Sequence, residues 1–74
     1  VSEGEYKGRA VLTARERQVF EWLVQNQSTK DIAAKFVISE KTVRNHISNV
    51  MQKLGVKGRS QAVVELVKRG ELKI

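Results

Sequence analysis

Only Val37, Ile38 and Ser39 separate two runs whose apolar residues recur at helical spacing, and a joint that short forces two helices into a sharp turn. The run before it carries Ile32, Ala33 and Phe36 on one side and opens at Ser28. The run after it carries Val43, Ile47, Val50 and Leu54, an i, i+4, i+7, i+11 stripe that suits one buried helix face. Expected bounds are Thr29–Phe36 for the first helix and Glu40–Leu54 for the second. Ser39 is the N-cap expected for the second, with Ile38 and Val43 placed as a hydrophobic staple. Gly55 follows as a left-handed stop. The apolar residues of the joint are expected to draw it onto the core.

Two further helices flank this pair. Thr13-Ala14-Arg15-Glu16 has the form of a capping box, in which the Thr13 hydroxyl accepts from a first-turn amide and Glu16 reaches back to the Thr13 amide. The helix it opens places Val19, Phe20, Leu23 and Val24 together and fades at Asn26. Ser28-Thr29-Lys30-Asp31 repeats the box, with Asp31 in the glutamate position. A last helix is expected over Arg59 to Arg69, with Ala62, Val63, Leu66 and Val67 inward and Gly70 as its stop. No segment alternates with a period of two, so the fold class is all-α, with four helices. No proline occurs, which leaves helix stops to glycine and to caps. Residues 1–11 show no period and are expected to form a mobile N-terminal arm, with one domain over 12–74.

Seventy-four residues make one small domain with little core to spare. There is no cysteine, so neither a disulfide nor a thiolate metal site supports it. No apolar run approaches the roughly 20 residues of a membrane span, and no secretory signal pattern is seen. A cytoplasmic protein without membrane attachment is expected. The chain begins at Val1 rather than Met, as expected of a sequence lacking a few residues at its front. The net charge is +6 and unevenly spread. Residues 1–27 carry four Lys/Arg and four Asp/Glu, whereas residues 28–74 carry ten and four. A basic excess favours polyanions, because neutralised phosphates release counterions. It equally favours an anionic membrane surface.

On a helical wheel the side of Glu40–Leu54 opposite the apolar stripe holds Lys41, Asn45, Ser48 and Gln52, with Arg44 and Asn49 at its flanks. Every one can hydrogen-bond and none is acidic. Arginine pairs with guanine O6 and N7, and asparagine with adenine N6 and N7. The sole acid of this helix is Glu40, in the first turn, where the helix dipole favours it. The arrangement is that of a helix-turn-helix, whose second helix enters the major groove N-terminus first. A solvated polar face on a core helix is the bland alternative, since the same shape occurs in proteins that bind no DNA.

Leu12-Thr13, Arg15-Glu16, Val19, Ile32-Ala33, Ile38-Ser39, Thr42-Val43, His46-Ile47, Lys53 to Val56, Arg59 and Ala62-Val63 resemble the LuxR/GerE-type helix-turn-helix family, over Leu12 to the end of the chain. The run from Ile38 to Leu66 is similar above all to its small stand-alone members. The resemblance implies a four-helix domain whose third helix reads the major groove. It implies a sequence-specific, dimeric regulator of transcription that engages RNA polymerase, with spore-coat genes late in sporulation as targets. By position it makes Arg44, Asn45 and Ser48 base contacts, with Lys41 next. Phosphate contacts are expected from Thr29, Lys30, Thr42, Asn49, Lys53 and Lys57. A homodimer is expected through the last helix, at Val64 and Val67. Gly58 departs from the serine cap of many members, a small loss at an N-cap. A chain without a receiver or ligand-binding domain in front is expected; the alternative is the output domain of a larger response regulator.

Single residues complete the expectations. His46 is the lone histidine, and a zinc site takes about four ligands, so it reads as a packing residue near a phosphate. Glu16 and Arg59 are expected to pair, tying the first helix to the last. Trp22 is expected half-buried, with Glu21 and Gln25 beside it in a patch that meets polymerase. No carboxylate pair, nucleophile–base pair or glycine-rich phosphate loop points to an enzyme, and no cofactor is expected. The competing classes are a helical protein-interaction module and a non-specific DNA packager.

Overall fold

The computed structural model describes residues 12–73, and within them four helices follow one another without a strand: α1 (Ala14–Leu23), α2 (Thr29–Phe36), α3 (Glu40–Leu54) and α4 (Arg59–Lys68). The arm expected over 1–11 lies outside the described residues.

Each start follows from a local hydrogen bond. The Glu16 amide donates to Thr13 Oγ1 at 3.1 Å and the Thr13 amide donates to Glu16 Oε1 at 2.9 Å, the full box at α1. At α2 only half the box forms: the Asp31 amide donates to Ser28 Oγ at 3.1 Å. Aspartate is one methylene shorter than glutamate, and its carboxylate does not return the bond. Ser39 caps α3 by accepting from the Thr42 amide at 3.1 Å. Gly58 takes the N-cap place of α4 with no side-chain bond.

Each stop uses one closure, in which two amides past the helix turn back to its last carbonyls around a residue of positive φ. In α3 the Val56 amide donates to the Met51 carbonyl and the Gly55 amide to that of Gln52, with Gly55 at φ 69°. In α4 Glu71 donates to Leu66 and Gly70 to Val67, with Gly70 at φ 75°. The other two stops have no glycine. Gln27 donates to Trp22 and Asn26 to Leu23, with Asn26 at φ 67°. Ile38 donates to Ala33 and Val37 to Ala34, with Val37 at φ 56°. A β-branched residue in this region is a genuine outlier.

Val37 also corrects the expectation that the joint is drawn inward as a whole. Its side chain is 90% exposed, while Ile38 packs against the core. The left-handed turn that ends α2 rotates Val37 outward as it aims Ile38 inward.

The core holds Val19 and Phe20 of α1, Ile32 and Ala33 of α2, Val43, Ile47 and Val50 of α3, and Ala62 and Leu66 of α4. Leu23, Val24, Phe36, Leu54 and Val63 pack around it, partly buried. α3 is central, since it packs against α1, α2 and α4 in turn. Two cation–π contacts brace α2 on α1: Arg15 lies 4.4 Å over Phe36, and Lys35 lies 4.4 Å over Trp22, which is half-buried as expected. Leu12 and Leu72, at opposite ends of the described chain, join the same core. Glu71 stitches these ends together. Its Oε1 accepts from the Leu12 amide at 3.2 Å and lies 3.7 Å from Arg17 Nη2, and its carbonyl accepts from Arg17 Nη1.

Candidate nucleic-acid interface

The burial of Val43, Ile47 and Val50 fixes the rotation of α3 about its own axis. With those three inside, Lys41, Arg44, Asn45, Ser48, Asn49 and Gln52 all stand exposed on the other side. His46 is half-buried at the border, as expected of a packing residue. The face expected to read bases is therefore a continuous outward surface on the helix that the rest of the domain grips. Among the described residues no helix is long and apolar enough to cross a membrane.

Three of the candidate residues are engaged in contacts of their own. Thr42 Oγ1 lies 2.9 Å from Ser39 Oγ, so its hydroxyl belongs partly to the cap of α3. Arg44 Nη2 donates to Glu40 Oε1 at 2.8 Å, an i,i+4 pair with both side chains well exposed. Lys53 Nζ donates to Glu16 Oε1 at 2.6 Å. Thr29 and Lys30 occupy the first two positions of α2, ahead of its first return bond from the Ile32 amide to the Ser28 carbonyl. Their amides thus face outward at the positive end of the helix dipole, with Lys30 exposed. Lys57 is exposed in the α3–α4 joint, where its amide donates to Gln61 Oε1 at 3.1 Å.

The Glu16–Lys53 pair corrects the expected Glu16–Arg59 pair. Glu16 is 4% exposed, and its carboxylate binds both the Thr13 amide and the Lys53 ammonium. Arg59 starts α4 as an exposed residue. α1 lies against the C-terminal half of α3, and that packing brings Lys53 rather than Arg59 to the carboxylate. Burial by itself pushes the Glu16 carboxyl up; the hydrogen bonds from Lys53 and Thr13 and the charge of Lys53 outweigh it and hold the carboxyl below its usual range. No sequence signal links residues 37 positions apart on different helices. The Glu40–Arg44 pair was missed although its spacing was legible, because an i,i+4 acid and base attract on any exposed helix.

Val64 and Val67 are the exposed valines of α4, at 52% and 37%. Val64 borders an open groove shared with Val56, Lys57 and Gln61. The groove joins the α3–α4 turn to the outer side of α4, so a second body on α4 would sit close to the end of α3.

The family described as bacterial regulatory proteins, luxR family, matches residues 10–66. The chain is 65% identical to the spore germination protein GerE of Bacillus subtilis (strain 168), over the full length of both. It is 45% identical to the transcriptional regulatory protein DegU of Brevibacillus brevis, over 97% of this chain and 31% of that one. The solved structure of the transcription factor GerE superposes with a TM-score of 0.85 at 63% identity, covering 88% of this chain and 97% of that one. The response regulator ChrA of a heme-sensing two-component system gives 0.78 at 36% identity, over 86% of this chain and 32% of that one.

Proposed function

The chain belongs to the luxR family of bacterial regulatory proteins and is a DNA-binding regulator of transcription, and from that premise we propose that it works as a homodimer, sets α3 of each copy in one half-site, and governs spore-coat genes late in sporulation. The observation that carries this reading is the outward face of α3, whose exposed side chains can all hydrogen-bond and whose orientation is locked by three buried residues. Lys41, Arg44, Asn45 and Ser48 make the base contacts. Thr29, Lys30, Thr42, Asn49, Lys53 and Lys57 hold phosphates. Lys53 serves both Glu16 and a phosphate, since an ammonium has three donors and this side chain is 37% exposed. Val64 and Val67 form the two-fold contact on α4. The similarity to GerE, a spore germination protein, supports the sporulation role. RNA polymerase is the partner at the promoter, met by Glu21 and Trp22 at the end of α1 and Gln25 in the turn that follows it. The cytoplasm is the compartment where such a protein acts.

Selection of bound sites from random DNA, followed by footprinting, tests the reading. The expected result is a short motif in two half-sites. Binding that depends on salt but on no sequence would mark a packaging protein, and no binding would mark an interaction module. Asn45→Ala is expected to relax the choice at one base pair by about 1–3 kcal/mol. Equal weakening on every sequence would remove Asn45 from the base contacts.

A further inference from the structure

Glu40 is the single acid of α3, and it sits at the end of the helix that enters the groove, between rows of phosphates. An acid there repels DNA, so its presence calls for a reason. The helix dipole is one, but Glu40 also accepts from Arg44 Nη2 at 2.8 Å, and Arg44 stands in the base-reading face. In the absence of a matching base, a long exposed arginine on this face would swing to a phosphate and bind any sequence. A carboxylate one turn back competes with the phosphates for that guanidinium. It does not compete equally with guanine, whose O6 and N7 offer a bidentate fit.

We propose that Glu40 is a specificity-determining residue, which withholds Arg44 from phosphates on wrong sequences and yields it to a matching base. The proposal rests on the reading of Arg44 as a base contact. An exposed pair is weak. That weakness suits the role, because a strong pair would keep Arg44 from its base as well.

The test compares wild type, Glu40→Gln, Arg44→Ala and the double variant on a selected site and on random-sequence DNA, at several salt concentrations, with thermal melts confirming that each is folded. Freed from Glu40, Arg44 adds one phosphate contact on random DNA. That steepens the log–log salt slope by about 0.9, so a fourfold drop in salt strengthens random-DNA binding about threefold more for Glu40→Gln than for wild type. Affinity for the selected site changes less than about twofold, and discrimination narrows accordingly. In the Arg44→Ala background the Glu40 change leaves the slope alone. Three results would overturn the proposal: an unaltered slope in Glu40→Gln, an equal steepening with and without Arg44, or weaker binding to the selected site with a changed preference at one position. The last would make Glu40 a reader of cytosine N4. The underlying reading fails separately, if Arg44→Ala alone leaves preference unchanged at every base pair.

Discussion

Val37 closes α2 with φ 56° and ψ 49°, a conformation that glycine takes freely and a β-branched residue does not. Its side chain reaches into solvent, so little packing offsets the strain. Val37→Gly is expected to stabilise the domain by about 0.5–1 kcal/mol in urea unfolding, the relief of strain exceeding the entropy that glycine adds to the unfolded chain. DNA affinity should be unchanged. Glu16 is the opposite case, a buried charge with two partners. Glu16→Gln is expected to cost about 1–3 kcal/mol at neutral pH, less than for a fully buried pair because Lys53 can turn to water. The folded state holds the Glu16 proton less tightly than the unfolded chain does. The contribution is therefore complete above the ordinary carboxylate range and drains away as pH falls through the lower folded value. Urea unfolding of wild type and variant along a pH series should converge in acid. Neither residue was legible in full. The capping box showed Glu16 as a local partner of Thr13, but the ion pair depends on a residue 37 positions away.

At the scale of the element, starts and stops differed in legibility. Starts at Thr13, Ser28 and Ser39 were readable because a hydroxyl four to six residues before an apolar run has a local job to do. Glycine marks two of the stops, and the shortness of the joint placed that of α2 at Phe36. The same closure at Asn26 and Val37 carried no such mark, although the backbone there is as left-handed as at Gly55 and Gly70. α3 depends most on its cap, because the residues proposed to read DNA begin two positions after it. Ser39→Ala removes the bond from the Thr42 amide and is expected to cost about 1 kcal/mol. Hydrogen exchange at the Thr42 amide should speed up, while amides at the centre of α3 slow or quicken only with global stability.

Across the whole molecule, α3 is both the hub of the core and the bearer of the polar face, so changes inside and outside it should separate cleanly. α4 supplies the remaining face. If Val64 and Val67 pair two copies, Val64→Asp places a carboxylate in an apolar contact, and sedimentation should show the dimer lost while the monomer stays folded. Monomers for both proteins at high concentration would remove α4 as the two-fold contact. The ends of the described chain are tied by Glu71 to Leu12 and Arg17, which sets the C-terminal segment after α4 beside the start of α1. Leu12 and Leu72 are core residues for that reason.

The sequence alone determined the four helices, their starts, the stops of α2, α3 and α4 to within a residue, and the two faces of α3, because caps, glycines and periodicity act over one or two turns. Tertiary structure decided which base answers Glu16, which side of the short joint meets water, and that Leu12 and Leu72 share one core. The first and last of those outcomes require segments far apart in the chain to be brought together, and local spacing holds no record of that approach; the joint turns on a left-handed closure at Val37 that no glycine marks. The joint that most constrained the fold shows both halves: its length dictated a sharp turn, and only the structure showed that the left-handed closure of α2, packed on α3, sends Ile38 in and leaves Val37 out.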